Sequence, residues 1–585
     1  MRITDSRVVA LLASFAVSNF VCSGEARADL PNGVAAGETT TDSSLLWARS
    51  TVVGDVRFEV STDPAFGSIL SSTTVAVTDP LQPVKAPATG LSAGTRYYYR
   101  AVDASGASSG GTFKTAASAS TFAGFRMGVS GDWRGELTPL PSLRNAADRN
   151  LDLWHSLGDT IYADYASPAV PIPQAQTLND FRRKHNEVLS ERFGLNSFRA
   201  IRQSTSTMAT IDDHEVTNDF EGGALIGTDP RFGGNPGDRI NTSQLYRDGI
   251  QAFQEYHPMD TRVNAGTGDA RVDGRPDLYR KQSFGKDAAV FSLDARSFRD
   301  EGLPAVADPT NPAQIGAYLA ASFTPGRTML GNPQRERVKA DLLAAQNAGT
   351  TWKFVMVPEP IQNLGVLNAS DRFEGYAAER ADLLRFIDQN NIENVVFVAA
   401  DIHGTLVNNL TYQNGPFQPQ IESGAFEITT GSGAFSAPFG PTVAGIAAGL
   451  GLPGSLPINT YLSLPGAQQE AYIEGLINAQ ITPLGYNPLG LQGSPIQAQL
   501  TQGTWTATNT FGWTEFDIDP VTQQLCVTTY GVPWYTEEAL LANPTLIASL
   551  QPTIMQQFCV TPIPAPGAMG LLAAFGVAVV RRRRA

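Results

Sequence analysis

Four apolar runs in this chain end in acids or histidines. "FRMGVSGD" ends at Asp132, "LDLWHSLGD" at Asp159, "STMATIDDHE" at Asp212, Asp213, His214 and Glu215, and "NVVFVAADIHG" carries Asp401 and His403. One such ending is ordinary, because Asp is a good N-cap for a following helix. When several buried strands end this way, many carboxylates collect at one edge of a sheet. Like charges ~4 Å apart repel by roughly 4 kcal/mol at an effective dielectric near 20. A cation cluster removes that cost, and the chemistry such a cluster offers is polarisation of an oxygen substrate and activation of water. The whole chain has 5 His, too few for a histidine-rich dizinc site.

The elements that must position these residues are legible around them. From residue 122 apolar strands alternate with amphipathic helices such as "LNDFRRKHNEVLSERFG" and "GNPQRERVKADLLAAQNAG". That alternation predicts an α/β core, whose ligands bind beyond the carboxyl ends of the strands. From Gly33 to Thr115 the pattern changes to short period-two runs, among them "SSLLWARS", "DVRFEVST" and "RYYYRAVDASG", separated by Gly, Asp or Pro. These predict a small all-β sandwich of immunoglobulin or fibronectin-III type over 29–117, with "TAASASTF" as a linker. Residues 436–502 are rich in Gly, Pro, Leu and Ala and read as an insertion. "NTFGWTEFDIDPVTQQLCVTTYGV" reads as a hairpin turned by "DPVTQQ". There is no internal repeat.

At 585 residues, with 42% hydrophobic and 17% charged content, the chain supports a large packed core and more than one domain. A net charge of −14 excludes a general nucleic-acid or polyanion-binding surface but not a small anionic substrate at a locally positive site. Residues 1–28 have the three parts of a secretory signal: Arg2 and Arg7, the apolar Val8 to Val17, and "ARA" before Asp29. Export leaves Cys526 and Cys559 in the mature chain, where an oxidising compartment permits a disulfide. The end, 562–585, joins a Pro-rich hinge to an apolar run, Ala568 to Val580, and to Arg581 to Arg584. It resembles PEP-type sorting signals, with "PAP" in place of "PEP", which implies a sorting enzyme and the envelope membrane as partners.

Taken in order, "GDTIYADY", "DDHEVTNDF", "SLDARSFRD" and "ADIHG" resemble the alkaline phosphatase D (PhoD-like) family of calcineurin-like metallophosphoesterases. The resemblance implies a four-layer α/β/β/α metallophosphoesterase core over 122–545 behind the small sandwich. It implies an exported phosphoesterase acting on phosphate mono- or diesters through a metal-activated hydroxide. Residue by residue, it makes Asp159 a carboxylate bridging two metals and Tyr162 a phenolate ligand of Fe(III). Asp132 and His403 join the same iron, and Asp213 and Asp401 hold a second metal of Ca²⁺ type, with other divalent metals admissible. His214 faces the leaving group. Family members with a Cys near "VSGD" differ from this chain, which has none there.

Other residues are assigned on the residue pattern alone. Arg134 and Arg296 are candidate phosphate clamps, with a structural ion pair as the alternative for each. Asp294 and Arg299 are expected to be structural, Asn218 and Asp219 to cap a helix, with reach to a metal as the alternative, and Glu359 to ligate a metal or support a ligand. His155 is expected to be packed in the core and His185 to face solvent. Asp164 and Tyr165 are expected to be ordinary loop residues. The rival to an enzyme is an exported structural or matrix protein on a degenerate phosphatase fold.

Overall fold

The computed structural model describes residues 30–564, so the signal segment and nearly all of the sorting segment lie outside the described residues. Two large sheets are stacked at the centre. The first has eleven strands, and its middle runs Thr510–Ile518, Phe125–Trp133, Leu153–Leu157, Ser206–Thr210 and Val34–Gly37. The second has seven, including Ala288–Ser292, Trp352–Met356, Val395–Ala399 and Ile421–Thr429 side by side and parallel. Strands such as "VVFVA" are buried along their whole length, as parallel strands covered on both faces must be.

The layers follow from which side chains each strand buries. Met127, Val129, Leu153 and Leu157 of the first sheet pack on Val290, Phe354, Met356, Val398 and Ile428 of the second. Each buried side chain of this size is worth roughly 1.5–3 kcal/mol relative to exposure. On the outer face of the first sheet, Trp133, Trp154 and Trp513 meet Phe181 and Val188 of helix Leu178–Leu189 and Phe198 of helix Ser197–Ser204. The longer helix starts where Thr177 and Asp180 form a capping box. On the far side, helices Asn332–Asn347 and Ala377–Gln389 cover the second sheet. The order is helix, sheet, sheet, helix.

The small N-terminal sandwich is not a separate bead. Four of its strands, from Gly54–Ser61 to Ser108–Lys114, form their own sheet. The other three continue the large first sheet, because Val34–Gly37 pairs parallel with Ser206–Thr210 through Ala36 and Gly37 opposite Ser206 and Thr207. The segment expected as an insertion supplies helices Phe439–Leu450, Ile458–Leu462 and Gly466–Ile481 around a cluster with Leu406 and Tyr461. It then returns as strand Ala498–Gln502 at the edge of the first sheet. The "DPVTQQ" hairpin forms as expected, between Thr510–Ile518 and Leu525–Pro533. Cys526 and Cys559 are directly opposite on neighbouring strands and form a disulfide.

His155 is fully buried and sits 2.8 Å from Ser292 Oγ across the sheet interface, as a packed core histidine. His185 does not face solvent. It is buried and stacks on Tyr256 at 5.3 Å, because the long charged helix turns this face toward helix Gln244–Tyr256. Burial pushes both imidazoles down to about 3.

Two predictions follow from this packing. An unfolded His titrates near 6.5, so the unfolded chain binds more protons than the folded one below that pH. Stability must then fall as pH drops from 6.5 toward 3, by about 2 kcal/mol per histidine at pH 5. The difference between the wild-type and His185→Leu stability profiles, from denaturant unfolding at pH 7 and pH 5, should show this, the variant having the shallower fall. Reduction of Cys526–Cys559, which closes a separation of 33 residues, should cost about 2–4 kcal/mol on the denaturant midpoint and leave the far-UV spectrum of the folded protein unchanged.

Candidate metal centre

The acids read from the sequence as strand endings lie just beyond, or at, the carboxyl end of a parallel strand of one of the two stacked sheets. Asp132 is in the last turn of strand Phe125–Trp133, Asp159 two residues past Leu157, Asp212 two past Thr210, and Asp401 two past Ala399. The backbone turns sharply at these points. Asp132, Asp159, Asp401 and His403 all have left-handed φ angles, between 49° and 61°. Non-glycine residues adopt this region rarely, and persist there only where surroundings over-determine them. Gly158, at φ 81°, completes one such turn, and a Cβ there would come within 2.6 Å of Asp212 Cβ.

Three groups of ligand atoms result, each with its atoms within 4.8 Å of one another: Asp132, Asp159 and His403; Asp159, Asp213 and His214; Asp212, Glu359 and Asp401. Asp159 belongs to two groups, which is where a bridging carboxylate would sit. Tyr162 is buried, and its hydroxyl lies 3.2 Å from His403 Nε2. Asp401 groups with Asp212 and Glu359 and not with Asp213, so the six residues expected as ligands are brought together with a different partition. Glu359 is inside the centre.

The residues fit cations. Asp132 Oδ2, Asp213 Oδ1, Asp212 Oδ2 and Glu359 Oε2 are buried with no hydrogen-bond partner. A buried carboxylate oxygen without a donor is costly, and a bound cation supplies the missing partner. Burial first, then the neighbouring acids, push the carboxyls of Asp132, Asp159, Asp401 and Glu359 well above their usual range. Burial and the charges of Asp159 and Asp132 push the Tyr162 phenol up as well. Burial pushes His403 down to about 3, so it is a neutral imidazole with a lone pair to offer.

Arg296 is not a substrate clamp. It is completely buried, with Nε 2.6 Å from Asp212 and Nη1 2.7 Å from Asp371, a further ion pair to Glu359, and Asp213 at 3.7 Å. Arg299 adds Glu359 at 2.7 Å and Asp371 at 2.5 Å. The pair is a buried counterion layer beneath the acids. Arg134 lies at the rim, partly exposed, with its guanidinium 4.6 Å from the Tyr165 ring centroid, one nitrogen 2.8 Å from Ser436 Oγ and an ion pair to Glu136.

The loop around Asp164 does more than connect. Asp164 Oδ1 is 2.6 Å from His214 Nδ1, which leaves Nε2 directed to the side of Asp159 at 4.0 Å and Asp213 at 3.9 Å. Burial opposes a charge on His214, but Asp213 and Asp164 outweigh it and push the imidazole up to about 9. Asn218 and Asp219 cap no helix. They lie in a turn, and their backbone N–H groups donate to Asp164 Oδ2 at 2.8 Å and to Asp213 Oδ2 at 2.5 Å.

Two further residues act at the site without having been given a role of their own from the sequence. Glu215 accepts from Thr160 N and Oγ1, each at 2.6 Å, and from Asp212 N at 2.8 Å, which ties the two acidic loops together. Phe435 packs 4.1 Å from the His403 ring and 4.9 Å from Tyr162, over the aromatic side of the site. Glu215 carried a signal, since it repeats the strand-exit acid pattern. Phe435 carried none.

A family model for PhoD-like phosphatase matches residues 133–444, more than half of the chain, and a second, for the N-terminal domain of these phosphatases, matches 17–117. The chain belongs to the PhoD-like phosphatase family. Alkaline phosphatase D of Bacillus subtilis (strain 168) is 26% identical over 412 residues, which span 65% of this chain and 65% of that protein's length. A solved structure of PhoD superposes with a TM-score of 0.64 at 19% identity, covering 91% of this chain and 90% of that one. That likeness shows a common PhoD-like fold, the four-layer core with its N-terminal all-β region.

For this PhoD-like centre, chelator-stripped protein should melt at a lower temperature than metal-loaded protein, because the buried acids lose their counterions. Asp159→Asn, which removes the carboxylate shared by two groups, should lower the metal bound per chain, measured by elemental mass spectrometry, by at least half.

Proposed function

We propose that the protein is an exported, metal-dependent phosphoesterase that hydrolyses phosphate mono- or diesters. The observation that carries this reading is the shared position of Asp159 in two buried ligand groups, in which Asp132 Oδ2 and Asp213 Oδ1 have no donor. Membership of the PhoD-like family supports it. Asp132, Asp159, Tyr162 and His403 would hold an Fe(III)-type ion, and Asp213, with Asp212, Glu359 and Asp401 nearby, one or more oxygen-preferring ions of Ca²⁺ type. Bound there, the ions supply neutralisation of phosphoryl charge and water activation near neutral pH.

The chain's own residues do the rest. His214 holds a proton at Nε2, on the side of Asp159 and Asp213, where a departing alkoxide can take it. Asp164 fixes the tautomer and ring orientation by engaging Nδ1. Arg134 stands at the rim, where a guanidinium can meet phosphate oxygens. Phe435 and Tyr165, with ring centroids 6.1 Å apart, flank the approach to the site. The Cys526–Cys559 disulfide supports an oxidising compartment, in line with the signal segment read from the sequence.

Release of phosphate from an aryl phosphate by metal-loaded protein should fall by about 10²–10⁴ in His214→Ala. Asp164→Asn should lower kcat by about 10–100-fold with metal content unchanged, as loss of an orienting partner does. Unchanged turnover in both variants would overturn the assignment. A visible absorption band lost in Tyr162→Phe would report a phenolate bound to ferric iron, whereas a colourless, metal-free and inactive protein would return the chain to a structural role in the envelope.

A further inference from the structure

Away from the metal centre, an open crevice of about 600 Å³ separates the N-terminal sandwich from helix Gln244–Tyr256. Lys85 reaches it from the sandwich, Arg247 and Gln254 from the helix, and Arg275 from a later loop, while Ile250 and Val263 supply apolar wall. None of the residues grouped around Asp159 lines it.

The charges in this crevice are unbalanced. Among the described residues, the hydrogen bonds of all three cations go to neutral acceptors, while the charges of Glu38, Asp260 and Glu255 act on Lys85 from a distance. Lys85 donates to the carbonyls of Gln254 and Met259. Arg247 donates to Thr242 O at 2.6 Å and Gln244 Oε1 at 3.0 Å, and Arg275 Nε to Asn241 Oδ1 at 3.2 Å. The acid on the wall, Glu255, is already held by two nitrogens of Arg182 at 2.7 and 2.8 Å. In a chain of net charge −14, two arginines, Arg247 and Arg275, that line one crevice with neutral partners alone depart from its general economy of charge.

A second observation is independent of charge. Gln254 is 7% exposed, and its Nε2 is buried with no hydrogen-bond partner. A buried amide donor left without a partner is a cost in the free protein, and a ligand oxygen that met it would reduce that cost. The cavity has the volume of small-molecule sites, which run to several hundred Å³, and combines apolar wall with a few convergent donors.

We propose that this crevice is a second, non-catalytic binding site for a small organic anion, a carboxylate or phosphate group carried on a body with apolar C–H surface. The anionic group would sit among Arg247, Arg275 and Lys85, where guanidinium forks match planar or tetrahedral oxyanions. Gln254 would donate to one of its oxygens, and Ile250 and Val263 would pack on the C–H face of the body.

The test is calorimetric titration of full-length, metal-loaded protein with D-glucuronate and with propylphosphonate, which carry the two anionic groups, and with uncharged glucose. Binding of either anion and not glucose is expected, with the paired titrations showing which group is preferred. The double variant Arg247→Gln, Arg275→Gln should lose at least tenfold in affinity while keeping its melting temperature. Val263→Trp, which fills the crevice without touching charge, should weaken binding as well. No binding by the wild type, or equal binding by both variants, would overturn the proposal. So would binding abolished by Asp159→Asn and retained by the arginine double variant, which would place the anion at the metal centre. That last comparison separates failure of this site from failure of the phosphoesterase reading.

Discussion

The structure is organised around a concentration of negative charge that protein alone does not balance. Asp132, Asp159, Asp212, Asp213, Glu359 and Asp401 meet at the carboxyl ends of two stacked sheets, almost all of them buried. Two arginines, Arg296 and Arg299, lie beneath, and their ion pairs reach Asp212, Glu359 and Asp371. They do not pair with Asp132 or Asp159. Those two carry the charge that a cation must meet, and their carboxyls are pushed up by burial and by the charges of Asp212 and Asp213. The division is physical: arginine neutralises the floor of the site, and metal is left to neutralise its face. Buried ion pairs are weak evidence for stability in general, because desolvation offsets attraction. Here they act by setting which acids remain available.

Holding those acids in place requires strain and a brace. Four residues at the centre have left-handed backbones, each disfavoured by itself. Glu215 offsets part of this by gathering backbone N–H groups from the Asp159 and Asp212 loops onto one carboxylate. Behind the loops, the strands cannot slide, because both faces are packed and a one-residue slip would reverse every side chain. The N-terminal sandwich contributes to the same rigidity. Its strand Val34–Gly37 lies next to Ser206–Thr210, the strand that delivers Asp212 and Asp213. A part that reads as an accessory domain is thus joined by backbone hydrogen bonds to an element of the site.

How much of this was legible depends on the range of the signal. The strand-end acids could be read because strand, turn and acid are adjacent in sequence, and the stacked-sheet fold then brings the endings together. The hairpin turned by "DPVTQQ" was legible for the same local reason. The partition of ligands was not, since whether Asp401 faces Asp213 or Glu359 depends on how two sheets are offset. Arg296 read equally as clamp or counterion; only burial decides. His185 was misplaced because its helix is highly charged in sequence, yet Lys184 and Arg182 on the same helix are also buried, satisfied by Tyr165 O and Glu255. Charge composition hides a packed face when the charges find partners. Asp164, Asp371 and Phe435 act through contacts 50 or more residues away, or across separate loops, and no spacing rule reports such contacts.

The treatment of cations elsewhere extends this reading. This acidic chain pairs many of its arginines closely: Arg149 takes both oxygens of Glu515, Arg182 both of Glu255, and Arg271 both of Asp269. Each pair satisfies a carboxylate and cancels a charge, which keeps a protein of net charge −14 from repelling its own fold. Against that habit, two places stand out. At the metal centre acids exceed cations, and at the crevice beside helix Gln244–Tyr256 cations exceed acids. Both imbalances coincide with a buried polar atom that has no partner, Asp132 Oδ2 in the first and Gln254 Nε2 in the second. An imbalance of charge alone is tolerated at a solvated surface. An imbalance joined to an unmet buried donor or acceptor is a cost in the free protein, and a bound species of opposite character removes both parts of it at once.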